Sequence, residues 1–199
     1  MNIAIMMSVW CQNLWDELIL KNEVKQLENK YWKDSKFKVF TYDLEKQFIL
    51  ADNIKYLEYF PIWIKNPKNI FRNIKNYLNF IRTIIWADKI VIGGWWIIFD
   101  NEVWNYSNPL NQWLFRTSIM YILKKNIIFW GISIDIKNSK NLFKIKSIFS
   151  KASEVYVRDN LSFVVVSRDK KEKIYKDKHF YYKSDKINRR FFIGEKRND

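Results

Sequence analysis

The sequence predicts an α/β fold, a parallel sheet with helices on both faces. Two observations point there. Short apolar runs of strand length alternate along the chain with longer segments whose apolar residues recur at helical spacing, and no internal repeat interrupts the alternation. Three of those runs end in polar or glycine-bearing loops, and in open parallel sheets ligands bind where such loops leave the carboxyl ends of strands.

The elements follow in order. Asn2 to Val9 is an apolar run suited to a buried strand. Beyond the polar Cys11-Gln12-Asn13, Leu18, Ile19, Leu20, Val24 and Leu27 mark a helix, with Asp16 and Glu17 in its first turn, where negative charge suits the dipole. Phe37 to Tyr42 alternates like a strand, and Leu44 to Asn66 reads as irregular, punctuated by Pro61. From Pro67, well placed for a first turn, Ile70, Ile74, Leu78 and Ile81 form a helical stripe. Lys89 to Ile92 is a strand, Leu114 to Lys124 a helix, Asn126 to Ile132 a strand, Lys140 to Ser150 a helix and Val155 to Val157 a strand. From Ser167 the chain is dense in Lys, Arg and Asp with few aliphatics, and reads as a basic, poorly ordered or truncated tail over 167–199 behind a domain at 1–166.

Composition narrows the function. The 199 residues carry 35 Lys+Arg against 21 Asp+Glu, a net charge of +14, yet the lysines are scattered and no nucleic-acid-reading motif accompanies them, so nucleic acid is not the expected partner. One Cys and one His exclude a disulfide scaffold and the usual zinc arrangements. The longest apolar run, Ile84 to Phe99, is broken by Asp88 and Lys89, and Met1 to Ile5 has no basic leader, so a cytoplasmic location is expected.

Glycine and tryptophan are out of balance. There are four Gly and ten Trp, where average usage near 7% would give about 14 Gly. Gly93-Gly94-Trp95-Trp96 puts two indoles where a strand-end turn suits bare backbone. One explanation is that several Trp positions derive from UGA codons decoded as Gly at the source; the other is a genuinely Trp-rich protein.

Three loops can carry chemistry. In Asn13-Leu14-Trp15-Asp16-Glu17, a Gly at position 15 would give Asn-Leu-Gly-Asp-Glu, whose freed amides suit an anion or sugar hydroxyls; plain helix capping by Asn13 or Asp16 is the alternative. In Gly93-Gly94-Trp95-Trp96, followed by Asp100, recoding would leave four glycines whose amides can approach a phosphate or carboxylate; a structural turn is the alternative. In Val157-Arg158-Asp159-Asn160-Leu161-Ser162, Arg158 is a fixed cation at a strand end, or else half of an ion pair with Asp159.

In this order and spacing the loops resemble the polysaccharide pyruvyl transferase family. Its members carry Asn-x-Gly-Asp-Glu after the first strand, then Ala-Asp-x-Val-Ile-x-Gly-Gly-Gly with a nearby Asp, a Gly-rich strand end, and Val-Arg-Asp-x-x-Ser. Asn13, Asp16, Glu17, Ala87, Asp88, Gly93, Gly94, Asp100, Gly131, Arg158, Asp159 and Ser162 match, while Trp15 and Trp95 stand where the pattern has Gly.

The resemblance implies a Rossmann-like N-terminal domain of a glycosyltransferase-B-like fold. It also implies transfer of the enolpyruvyl group of phosphoenolpyruvate to a sugar of a cell-surface polysaccharide, or of its lipid-linked precursor, which would bring the enzyme peripherally to a membrane. No cofactor or metal is implied. Family members carry a second domain, so the sequence is expected to be truncated to the N-terminal half. Arg158 and the amides from Gly93 to Trp96 are expected to meet the donor, with Asn13, Trp15, Gly131, Asp159 and Ser162 lining the substrate site. Asp16, Glu17 and Asp100 are the candidate bases. A glycosyltransferase fragment of the same architecture, an inactive truncated domain and a basic binding protein are the rival readings.

Overall fold

The computed structural model describes residues 1–7, 14–31, 34–41, 52–59, 68–93, 98–100, 109–136, 138–159, 162 and 174–176. Its elements are β1 (Asn2–Met7), α1 (Leu14–Tyr31), β2 (Lys36–Thr41), β3 (Ile54–Glu58), α2 (Lys68–Trp86), β4 (Lys89–Gly93), β5 (Ile98–Phe99), α3 (Pro109–Ile122), β6 (Asn126–Ile132), β7 (Ile134–Asp135), α4 (Leu142–Ser150), β8 (Glu154–Val157) and β9 (Ile174–Lys176). Seven strands form one sheet in the order β3-β2-β1-β4-β6-β8-β9, and all its pairings are parallel. β5 and β7 form a small parallel pair of their own.

Alternation of side chains along each strand divides the core in two. Ile3, Ile5 and Met7 of β1 pack with Phe37, Val39, Val91, Ile128 and Trp130 beneath Leu20, Val24 and Leu27 of α1. Ala4 and Met6 face the other way, in the core shared by Phe80 and Ile84 of α2, Trp113 and Met120 of α3, and Ile145, Ile148 and Phe149 of α4. Helices therefore cover both faces, as the alternation predicts. The chain steps outward from β1 in one direction through β2 and β3, and in the other through β4, β6 and β8. The switch point lies between β1 and β4, and ligands in such sheets bind outside the strand carboxyl ends there.

Three features depart from the sequence reading. A strand, β3, lies within the stretch read as irregular; its pairing with β2 from Phe37↔Ile54 to Thr41↔Glu58 supplies what its weak apolar pattern does not. β9, within the segment read as tail, adds a strand to the sheet beside β8 through Val155↔Ile174. Third, the stripe of α2 marks the helix but not its packed side. Ile70, Ile74 and Leu78 are exposed, whereas Asn73, Asn76, Phe80, Thr83 and Ile84 are buried. The cause lies at the end of β3, where buried Glu58 needs donors. Asn76 Nδ2 donates to Glu58 Oε2 at 2.8 Å, Arg72 Nε donates to the same oxygen at 2.9 Å, and Arg72 also pairs with Oε1.

Candidate active site at the carboxyl end of the sheet

Gly93 ends β4, paired with Met7 of β1 on one side and Trp130 of β6 on the other. It therefore occupies the switch point. Its α-carbon is enclosed: a Cβ there would lie 2.9 Å from Glu23 Oε2, 3.0 Å from Glu23 Oε1 and 3.0 Å from the carbonyl oxygen of Trp130. No larger residue fits without displacing a neighbour. Glu23 is fully buried, carried by α1 in the row Leu20, Glu23, Val24 and Leu27.

The neighbouring rim is shaped by Gly131, whose φ of 62° is open to glycine at little cost. There the β6–β8 register shifts, with three steps from Phe129 to Ile132 set against two from Val155 to Val157. The bulge brings the two strand ends together, and Arg158 N donates to the Ile132 carbonyl at 2.9 Å. Arg158 thus leaves β8 beside the end of β6. Burial disfavours its charge and pulls its pKa below the usual guanidinium range, against the support of adjacent Asp159. A partly dehydrated cation of this kind gains more from an anionic ligand than a hydrated surface one does.

Asp159 and Ser162 brace this corner. The Ser162 amide donates to Asp159 Oδ1 at 2.7 Å and its hydroxyl donates to Oδ2 at 2.8 Å. The same hydroxyl accepts from the Ile134 amide at 2.8 Å, tying the turn after β8 to the start of β7. Asp100, at the end of β5, accepts through Oδ2 from the Asn138 amide and from Asn141 Nδ2, both at 3.0 Å. Its carboxylate is engaged in holding the loop that follows β7. Asp16 and Glu17 lie in the first turn of α1, half-buried.

Asn13, Gly94, Trp95 and Trp96 lie outside the described residues, and Trp15 is described only as backbone within α1. The structure brings Arg158, Asp159, Ser162 and Gly131 to one corner and Gly93 to the adjacent strand end. Asp88, part of the glycine-loop motif, belongs elsewhere. It precedes β4 at the amino end of the sheet, where its Oδ2 accepts from the Asn2 amide at 2.8 Å. Two shallow cavities of about 570 and 630 Å³ also lie at that end, lined by residues such as Lys125 and Ser153 or Lys38 and Lys55.

Besides Glu58, two buried charged residues near the rim escape the sequence reading. Glu23 is one. Arg116 of α3 is the other, fully buried with its guanidinium 4.8 Å from the Tyr59 ring and 4.9 Å from the Trp113 ring. Tyr59 in turn donates to the carbonyl of Met7 at the end of β1, at 2.8 Å. The available signal was position: each stands on the inward face of its helix among apolar neighbours, where a charge is costly without a role.

No curated protein sequence matches the chain significantly. The profile of the family described as Polysaccharide pyruvyl transferase matches residues 16–179. The match begins at Asp16, takes in the Gly93 and Arg158 strand ends, and runs through β9. A match over most of the chain, on a parallel α/β sheet of the expected kind, identifies the protein's group: the chain belongs to the polysaccharide pyruvyl transferase family.

Proposed function

We propose that the chain contributes the donor side of a transferase that moves the enolpyruvyl part of phosphoenolpyruvate onto a pair of sugar hydroxyls of a cell-surface polysaccharide or its lipid-linked precursor. The observation that carries this reading is Arg158, a partly dehydrated cation at the β8 end, backed by the Asp159–Ser162 brace and separated by β6 from the strand end that bears Gly93.

Phosphoenolpyruvate is small and carries a phosphate and a carboxylate. It calls for a fixed guanidinium and for backbone amides free of side-chain bulk. In the reaction C2 of the donor gains two bonds to hydroxyl oxygens and loses its bond to the phosphate oxygen. Of the two hydroxyl protons, one ends on the methylene carbon, making it methyl, and the other on phosphate. Positive charge beside the departing phosphate lowers the barrier to that cleavage. Arg158 and the amides from Gly93 to Trp96 are the groups proposed for it. A carboxylate must accept a hydroxyl proton. Asp16, Glu17 and Asp100 are the candidates proposed for it; Asp100 also holds Asn138 and Asn141. Trp15, Trp95 and Trp96 are proposed to stand where glycine serves in the working protein.

Calorimetric titration with phosphoenolpyruvate tests the reading. Wild-type chain binds; Arg158→Ala weakens binding by about tenfold or more, the worth of one charge-assisted hydrogen bond. Arg158→Ala that binds as wild type sinks the assignment. Release of inorganic phosphate in the presence of a polysaccharide acceptor tests the chemistry.

A further inference from the structure

We propose that α2 docks the protein on an anionic membrane surface, through an exposed apolar face of Ile70, Ile74, Leu78 and Ile85 and a cationic edge of Lys75 and Arg82. The inference stands apart from the donor chemistry, since it concerns the outer side of a helix that packs on the sheet face.

The apolar face is real and unusually open. Ile70, Ile74, Leu78 and Ile85 are 49%, 53%, 46% and 59% exposed, and Phe71 beside them is 80% exposed. Single exposed apolar side chains are ordinary on any surface, but five large ones along one helix are not. At about 100° per residue these positions fall within roughly one third of the helix circumference. Lys75 and Arg82, both exposed, fall together along one border of that sector.

Among the described residues, α2 is held from its other side by Phe80 and Ile84 in the core and by Asn76 and Arg72 on Glu58. Ile81, in the same sector as the stripe, packs partly against the core, while Ile70, Ile74, Leu78 and Ile85 stay exposed.

Charge selects the occupant. From Lys68 to Trp86 there is no Asp or Glu. A second copy of the chain would offer the same surface, bringing more cations and no carboxylate of α2 to answer them. A bilayer with anionic headgroups answers both halves at once. Apolar side chains enter the boundary between headgroups and acyl chains, while Lys75 and Arg82 meet phosphates. Among the described residues no helix is long and apolar enough to cross a membrane, so docking, not spanning, is the geometry.

Co-sedimentation of the full chain with vesicles tests this, without any donor present. Vesicles of phosphatidylglycerol and phosphatidylcholine in equal parts carry the protein down, vesicles of phosphatidylcholine alone carry much less, and added salt weakens the anionic case. Ile74→Ser with Leu78→Ser lowers partitioning about tenfold or more. Lys75→Glu with Arg82→Glu does the same on anionic vesicles. Circular dichroism checks that each variant keeps its fold, and Ile70→Ser with Phe71→Ser, at the most open end, serves should the first pair unfold. Absence of pelleting on anionic vesicles overturns the proposal, as does pelleting that the folded apolar variants retain. A dimer in sedimentation equilibrium that Leu78→Ser dissociates also overturns it, by assigning the face to a second copy.

Discussion

The carboxylate of Glu23, on α1, lies against the α-carbon of Gly93, at the end of β4, so closely that a methyl group on Gly93 would sit 2.9 Å from Oε2. One side chain from a helix and one bare backbone position together define the floor of the switch point. Gly93→Ala is expected to destabilise the chain by about 1–3 kcal/mol, the usual cost of overpacking. Adding Glu23→Ala recovers part of that loss and not all, because the Trp130 carbonyl stands 3.0 Å from the same Cβ. Urea unfolding of the two single variants and the double variant measures the coupling. Additivity would mean the two residues do not share this space.

Lys30 and Glu154 predict a pH dependence. Lys30 Nζ donates to Glu154 Oε2 at 3.1 Å and to Tyr156 Oη at 3.0 Å, and lies 4.9 Å from the Trp130 ring and 4.8 Å from the Tyr156 ring. Burial opposes charge on both. For Lys30, hydrogen bonds with Tyr156, Tyr31 and Glu154 outweigh it and raise the pKa above the ordinary 10.5. For Glu154, hydrogen bonds with Tyr156 and Lys30 and attraction by Lys30 and Lys89 outweigh it and hold the pKa below the ordinary 4.5. The stability from Glu154 is therefore full above pH 4.5 and lost as pH falls through its folded value. That from Lys30 is full below pH 10.5 and lost as pH rises through its folded value. Glu154→Gln should cost about 1 kcal/mol at neutral pH and flatten the acid limb of a thermal-midpoint profile. An unchanged acid limb would refute the linkage.

Ser162 joins two segments through one hydroxyl, donating to Asp159 and accepting from the Ile134 amide. It is fully buried. Ser162→Ala leaves that amide without its partner and should cost about 1–3 kcal/mol in chemical denaturation. It should also weaken phosphoenolpyruvate binding, because the turn it holds carries Arg158. Loss of stability with undiminished binding would separate the brace from the site.

Trp15, Trp95 and Trp96 give a test at the level of sequence. Replacing all three by Gly is expected to preserve the fold and strengthen phosphoenolpyruvate binding by about tenfold or more, since an anion approaches bare backbone amides more closely where no side chain is present. Weaker binding by the glycine version would favour authentic tryptophan. The gene's triplets at these positions provide an independent check.

Much of the architecture is written locally. The runs Asn2 to Met7 and Asn126 to Ile132 are too apolar to lie anywhere but inside a sheet, and the alternation of such runs with helical segments requires parallel crossovers. Arg158, Asp159 and Ser162 were legible as a unit because they are neighbours in sequence. Ala87-Asp88 and Gly93-Gly94 read as one motif, yet the strand between them sends Asp88 to one end of the sheet and Gly93 to the other.

What the sequence alone determined is therefore the alternation, the strand cores and the residue types at the strand ends. Tertiary structure decided which side of a helix is buried and which distant groups meet. α2 shows the reason: its apolar period is a local property, but its packed side meets Glu58, a buried acceptor from another element that engages Arg72 and Asn76, while Ile70, Ile74 and Leu78 stay outside. Likewise Glu23 meets Gly93 only because α1 lies over a strand that joins the sheet some seventy residues later. Periodicity records the preference of a segment, whereas the partners of its polar groups are set by the whole chain.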